Sequence, residues 1–495
     1  MHNSIEAICL DGIKLMKLSP LAKIVDLGAA CENRTRLWII GKYPCSYQIN
    51  VHASCICNER AALHNRHLID RTTIPFKSSA FKEAADKFMH DSRHFPSVGR
   101  ASYREVVDSY TGRKKRVYYR AMERVTTEPF DERWANVKMF VKPDKYPESQ
   151  IRHKPPRAIQ YRDPKYNIMM ARYLKPFEEM FYPFEYDGER QVAKGMTNYE
   201  RAAHLVKLAG KYRNPLFIML DHSKFDSCVR LEHLKFCHKV YKRAFKGSQI
   251  LPWLLRKQLV NRGLTKHGIR YKVKGTRMSG DYDTALGNTL LNLACLRYFF
   301  RKVKNSLFVD GDDSVAIIEK DQFDKLDFRE WLSLGFNTEW STTDDLNQVE
   351  FCRSKILHTR VPRMVRDPRR LLSNYTATVR YYPKKVWHRY VKGQALGELS
   401  QSRGIPIVTP IMEKLASVPG RPIMDPDTVW KFQNGDDREV DITQEDREIF
   451  EDMWGIPANV QVAIEGWHPP DLKSWDGTFL DRFKVLPDAP QEEPW

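Results

Sequence analysis

Two runs of β-forming apolar residues, Leu307-Phe308-Val309 and Val315-Ala316-Ile317-Ile318, are held apart by Asp310-Gly311-Asp312-Asp313-Ser314. Few folds accept such a segment. Short runs rich in β-branched and aromatic residues read as buried strands, and a tight turn containing glycine joins them as an antiparallel hairpin. Asp312 and Asp313 then sit at the tip. Carboxylates packed there repel, and divalent cations relieve the repulsion; magnesium favours oxygen ligands of this kind together with phosphates. The tripeptide Gly-Asp-Asp also arises by chance, so its meaning depends on what accompanies it.

Three other segments accompany it. Leu216 to Leu220 is a second apolar run that reads as a buried strand; it ends in Asp221, with Asp226 five residues on. A carboxylate at the end of a buried strand is costly unless it meets a metal or a partner, although Asp also opens ordinary turns. Met278-Ser279-Gly280-Asp281 leads into a helix expected to reach about Phe300, with Leu286, Leu290, Leu293 and Leu296 at helical spacing. Thr284 and Asn288 are four apart and share one face of it, where they could hydrogen-bond a sugar or simply cap and solvate the helix. The fourth segment, Lys142 to Arg162, carries Lys154-Pro155-Pro156-Arg157-Ala158-Ile159-Gln160. Its Lys and Arg suit phosphate oxygens, or form a generic basic loop.

Charge narrows the partners. The 495 residues include 81 basic and 62 acidic ones, a formal net of +19. The segment from Gly435 to Trp495 holds 16 of the acidic and 5 of the basic residues, so the rest of the chain is near +30. A chain this basic meets polyanions, and the acidic tail reads as a solubility device. Lys138–Lys175, with ten basic and three acidic residues, and Val361–Arg403, with ten and two, are two basic stretches. The second interleaves Tyr375, Tyr381, Tyr382, Trp387 and Tyr390 with its charge, a pattern for tracking a nucleic-acid backbone and stacking bases, or for a helical face with aromatics turned inward. The length suits about three domains or one multi-lobed body. No run of 18 apolar residues is present, Met1–Leu10 has no signal pattern, and no Gly-x₄-Gly-Lys-[Ser/Thr] loop marks a fused helicase. The nine cysteines form no framework and suggest a reducing compartment. Cys45, His52, Cys55 and Cys57 raise the question of zinc, but Cys-x-Cys is a poor spacing for a structural site, so buried or idle thiols are expected.

The four segments make sense jointly. Nucleotidyl transfer uses two divalent ions about 3.5–4 Å apart, one activating the attacking 3′-hydroxyl and one neutralising the leaving pyrophosphate. Two carboxylate-bearing strands side by side can hold both, basic residues can stabilise the triphosphate, and an Asn near the ribose can test for the 2′-hydroxyl.

Asp221-x₄-Asp226, then Ser279-Gly280-x₃-Thr284-x₃-Asn288, then Gly311-Asp312-Asp313 resembles motifs A, B and C of viral RNA-dependent RNA polymerases, nearest to positive-strand, tombusvirus-like (carmovirus-like) enzymes. Phe140-Val141-Lys142, Lys154 to Gln160, Arg277 to Asp281, Ala285 to Asn288 and Val349-Glu350-Phe351-Cys352 support the resemblance, which covers about Phe140 to Lys355. It implies an α+β right hand with an antiparallel palm sheet and helical fingers and thumb. The boundaries are 1–96 for an N-terminal extension, 97–215 and 229–275 for fingers, 216–228 and 276–360 for palm, and 361–495 for thumb and acidic tail. It implies Asp221, Asp312 and Asp313 as catalytic ligands of two Mg²⁺ (or Mn²⁺) ions. Asp226 and Asn288, helped by Ser279, Gly280 and Thr284, become the ribose site. Lys142, Lys154 and Arg157 contact the triphosphate, and Val349 to Lys355 forms a primer-grip turn. One departure stands out: Gly335-Phe336 is followed by Asn337, Thr338 and Glu339 where the family often has a lysine, and Lys320 and Lys325 lie earlier in an expected helix, so the general acid is unassigned. Trp454, Trp467 and Trp475 could form an initiation platform, but core packing is expected. RNA template, nascent RNA and NTPs are the implied partners. The implied setting is the host cytoplasm and membrane-bound replication complexes, with a separate viral replication protein or an upstream segment as anchor. Competing readings are a reverse transcriptase, a non-catalytic RNA-binding replication protein and a metal nuclease. Asn288 with Asp226 opposes the first, the intact Asp221, Asp312 and Asp313 oppose the second, and a nuclease needs neither the Asn288 helix nor the Lys154–Arg157 loop.

Overall fold

In the strand Pro215–His222, Phe217 and Met219 point one way and Ile218 and Leu220 the other, and both faces are covered. That is why the run is apolar throughout rather than alternating. The computed structural model describes residues 4–436 and 438–469. In it this strand is the third of a four-stranded antiparallel sheet in the order Asn305–Asp310, Asp313–Glu319, Pro215–His222, Thr338–Thr343. The expected hairpin is the first pair, closed by Asp310 opposite Asp313. Gly311 sits in its turn at φ +67°, a conformation that glycine adopts without steric cost.

One face of the sheet, with Ile218, Leu220, Leu307, Val309, Ala316 and Ile318, meets a layer of helices. These are Ser78–Asp91, Pro164–Phe181, Leu231–Ala244 and Thr284–Phe299. The last is buried all round, with Asn288, Thr289 and Asn292 as its polar exceptions, so it is the centre of the layer. The opposite face, with Phe217, Phe308, Val315 and Ile317, is covered by Asn198–Ala209 and by a three-stranded meander, Glu350–Phe351, Ser354–Leu357 and Arg363–Arg366.

A second sheet has five strands in the order Ala22–Val25, Arg270–Lys274, Val260–Thr265, Val137–Val141, Ala158–Tyr161. Val260–Thr265 and Arg270–Lys274 alternate between buried and exposed positions, the signature of a sheet wet on one side. Gly263 is required here: a Cβ would lie 2.0 Å from the Tyr271 ring. The N-terminal region thus contributes an edge strand to this sheet. It also contributes Ser4–Glu6 and Arg36–Ile39, which pair with each other, the latter pairing in turn with Ala377–Thr378 from far along the chain.

The C-terminal body packs the helices Trp387–Leu399, Val408–Ala416, Gln444–Trp454 and Ala458–Glu465 around their own core, with Pro426–Gln433 against the first. At its centre Glu398 is buried against Arg366, accepts a 2.5 Å hydrogen bond from the Tyr375 hydroxyl, and has Lys431 at 3.6 Å. This corrects the picture of an aromatic, basic binding stripe. Trp387 and Tyr390 are buried, Tyr382 stacks on Tyr390 at 4.5 Å, Tyr375 serves Glu398, and Tyr381, although exposed, leans edge-on against Trp38. Trp454 and Trp467 pack against the same core, while Trp475 lies outside the described residues. Lys320–Lys325 is a 3₁₀ turn, and Lys320 is tied to Asp344.

Candidate active site

Asp221 lies one residue past Leu220, which pairs with Ser314, so it stands beside the tip of the acidic hairpin. On its other side it pairs with Glu339. The protein mass around Asp312, which is itself open at the tip, together with the Asp226 and Asp221 carboxylates, pushes Asp312 up to about 6. Burial followed by Asp312 and Asp221 pushes Asp313 up to about 7. These are acids held close with too little positive charge, a donor set of hard oxygens that fits divalent cations. No three carboxylates among the described residues bring one oxygen each to within 4.8 Å of one another, so the group is an open mouth rather than a closed cage. The third aspartate of the hairpin is different: Asp310 is already neutralised by Lys194 at 2.5 Å and Arg201 at 2.7 Å.

The turn is braced from below by the buried helix. Thr289 Oγ1 accepts the Gly311 amide at 2.9 Å, and Asn292 Nδ2 donates to the carbonyls of Gly311 and Asp312 at 3.1 and 3.0 Å. Asn292 Oδ1 is met at 3.0 Å by His222, which burial keeps neutral by lowering it to about 4.

Asp226 and Asn288 are joined directly, Nδ2 donating to Oδ1 at 2.8 Å. Asn288 in turn accepts from Arg277 Nε at 3.1 Å, and Arg277 pairs with buried Asp283 at 3.0 Å. Burial works against the charge of Asp283, but the Arg277 guanidinium outweighs it and holds the carboxyl below its ordinary range. Held at both its nitrogen and its oxygen, the Asn288 amide is fixed in orientation, with one N–H and one oxygen lone pair to spare.

Ser279, Gly280 and Thr284 are employed elsewhere. Ser279 Oγ donates to Ala158 O at 2.8 Å, and the Gly280 amide donates to Gln160 O at 2.8 Å. They zip the loop onto the strand Ala158–Tyr161, and a Cβ on Gly280 would come within 2.7 Å of that same carbonyl. Arg162 completes the join through a buried pair with Asp281 at 2.5 Å. Thr284 Oγ1 donates to Met278 O and Asp281 O, which caps the loop.

Among the basic residues, Arg157 acts electrostatically on both Asp226 and Asp312. Asp144 lies between it and Lys142, at 3.4 and 3.2 Å. Lys154 stands over the Tyr146 ring at 5.9 Å. Arg66, from the segment Leu63–His67, acts on the same two acids as Arg157, and Arg353 acts on Asp313. Sequence reasoning missed Arg66, Arg353, Thr289, Asn292 and Glu339. Asn292 alone carried a readable signal, standing four residues after Asn288 on the same helical face. The Cys45–His52–Cys55–Cys57 grouping is corrected. Cys45 packs against the C-terminal core, and His52 approaches Ile151 O at 3.1 Å.

A mixed helix-and-strand chain with an acidic hairpin tip beside a carboxylate-ended strand, and an Asp–Asn pair at its edge, has the arrangement of template-copying polymerases. Residues 24–440 match the family model described as viral RNA dependent RNA polymerase, and the chain belongs to that family. It is similar to the RNA-directed RNA polymerase of Carnation mottle virus, 28% identical over 470 residues, covering 90% of this chain and 61% of that one. It is similar to that of Tobacco necrosis virus (strain A), 34% over 326 residues, with 62% and 44% covered. The Cymbidium ringspot virus enzyme is 30% identical over 479 residues, with 89% and 57% covered. The chain therefore spans less than two thirds of each of these relatives.

Proposed function

We propose that this chain is an RNA-directed RNA polymerase that copies a viral positive-strand genome by nucleotidyl transfer with two Mg²⁺ or Mn²⁺ ions. The observation that carries the reading is the convergence of Asp221, Asp312 and Asp313 from adjacent strands beside the hydrogen-bonded Asp226–Asn288 pair. Asp221 and Asp312 would hold the ions, with Asp313 assisting; bound there, the ions supply 3′-hydroxyl activation and charge neutralisation at the pyrophosphate. Asn288, fixed by Arg277, reads the ribose 2′-hydroxyl together with Asp226. Ser279, Gly280 and Thr284 shape the loop that presents them. Arg157, Lys142, Lys154 and Arg66 offer positive charge to the triphosphate. Glu339 gives no general acid while ionised, and burial and Asp221 raise it above its ordinary range.

In this reading the four-stranded sheet and the first two strands of the meander lie in the palm (216–228 and 276–360), and the meander's third strand, Arg363–Arg366, opens the thumb. The five-stranded sheet and the helices of 97–215 and 229–275 belong to the fingers, the residues from 361 onward to the thumb, and 1–96 is an extension reaching both fingers and thumb. The partners are RNA template, nascent RNA and NTPs. No helix of the described residues is long and apolar enough to cross a membrane. Recruitment to membrane-bound complexes in the host cytoplasm would then need a separate viral replication protein or sequence beyond this chain.

The test is incorporation of labelled NTP on a short RNA template with Mg²⁺, comparing wild type with Asp312→Ala and NTP with dNTP. Metal-dependent, Asp312-dependent use of NTP supports the reading. Equal use of dNTP would favour reverse transcription. RNA binding without synthesis, in the presence of the membrane-anchoring replication protein as well, would favour the non-catalytic reading.

A further inference from the structure

Four cysteines from three separate stretches of the N-terminal region come together away from the acidic site. Cys9 follows the strand Ser4–Glu6, Cys31 lies in the connection after Ala22–Val25, and Cys55 and Cys57 open the helix Ile56–Ala62. Cys9 Sγ is 3.5 Å from Cys31 Sγ and 3.5 Å from Cys55 Sγ, and the three sulfurs all lie within 4.8 Å of one another. Cys57 touches Cys31 and donates to Asp11 Oδ1 at 3.4 Å. Sulfurs on a tetrahedral zinc with Zn–S near 2.3 Å sit about 3.8 Å apart. A metal satisfies the four sulfurs at once and needs no oxidant, whereas pairing them as disulfides does. Cys55 and Cys57 are buried and Cys9 and Cys31 half-buried, so the cluster is shielded yet reachable by an ion.

We propose that Cys9, Cys31 and Cys55, completed by Cys57, hold a structural zinc ion. Binding converts the thiols to thiolates and releases their protons to solvent, and Arg60, beside Cys57, offsets part of the negative charge. The position gives the ion a task. The helix that Cys55 and Cys57 open runs directly into Leu63–His67, which carries Arg66 toward Asp226 and Asp312 and sets His67 Nε2 to accept the Ala158 amide at 3.1 Å. The connection holding Cys31, between Val25 and Arg36, has no secondary structure of its own, so the metal would tie it to that helix. The Cys-x-Cys spacing that argued against zinc is not disqualifying when two ligands come from elsewhere.

The experiment is metal analysis of the full chain, reconstituted with zinc under reductant and desalted. About one zinc per chain is expected in wild type, in Cys45→Ser and in Asp312→Asn, with a loss of at least about tenfold in Cys9→Ser and in Cys31→Ser. The Asp312→Asn comparison keeps this site distinct from the carboxylates. Should the cysteine variants fail to fold, cobalt loading of wild type decides: thiolate-to-cobalt charge-transfer absorption supports the site. Wild type with less than about a tenth of an ion per chain overturns the proposal. So does a full complement retained in Cys31→Ser, a cobalt spectrum without charge transfer, or a Cys9 disulfide in protein taken from reducing cells.

Discussion

At residue scale the site depends on side chains that hold other groups still. Asn292 touches neither proposed metal nor nucleotide, yet two of its hydrogen bonds define the Gly311–Asp312 turn. Asn292→Ala is expected to lower kcat about 10–100-fold, the usual cost of removing a group that orients a ligand, with a smaller effect on the KM for NTP. Single-turnover incorporation checks it, and unaltered kcat would show that the strand pairing alone holds the turn. Asn288→Ala is expected to narrow the ratio of kcat/KM for NTP over dNTP, measured by competition. Asp226 should respond in parallel because the two are hydrogen-bonded to each other. Asp312→Ala should reduce synthesis below a tenth of wild type while leaving RNA affinity in place, read by filter binding and incorporation on the same template.

At element scale two joints matter. The loop before the buried helix is stitched to Ala158–Tyr161 by backbone contacts so close that Gly280→Ala must push a carbonyl aside. A cost of about 1–3 kcal/mol is expected, with a higher KM for NTP; a thermal melt and steady-state kinetics test both. The second joint is the Glu398 centre. Burial opposes its charge, but Arg366, Lys431 and the Tyr375 hydroxyl prevail and bring it down to about 2. A depressed carboxylate stabilises the fold fully above its unfolded value near 4.5 and loses that contribution as pH falls toward 2. Glu398→Gln is therefore expected to cost about 3–5 kcal/mol at neutral pH by leaving Arg366 short of its partner, and the gap to wild type should close on acidification in urea melts taken between pH 7 and pH 3.

At the scale of the whole molecule, the N-terminal region adds strands to one sheet shared with residues 137–274 and to another shared with Ala377–Thr378, and brings Arg66 to the acids. RNA affinity is expected to fall steeply with salt, about 10³–10⁵ between 50 and 200 mM if 6–10 phosphates are contacted. A flat response in a fluorescence titration would mean mainly non-ionic contacts. Part of the basic stretch 361–403 is already neutralised, because Arg363, Arg366 and Arg369 are paired with Asp446, Glu398 and Asp367.

The sequence by itself determined the strand ending at Asp221, the acidic hairpin and the helix beginning at Thr284, because each is set by local periodicity and turn chemistry. It also determined that Asp226 and Asn288 belong together, through the order and spacing of the motifs. Tertiary structure decided which polar groups are spent and which are free. Ser279 and Thr284 look available on a helix diagram, yet their hydroxyls go to backbone carbonyls. It decided that Asp310 is neutralised while Asp312 is not, that the aromatics after Tyr375 mostly face a core, and that Cys9 and Cys31 join Cys55. Thr284 apart, whose partners are three and six residues away, these depend on residues tens to hundreds of positions off, and a side chain's chemistry is set by whatever folding places against it.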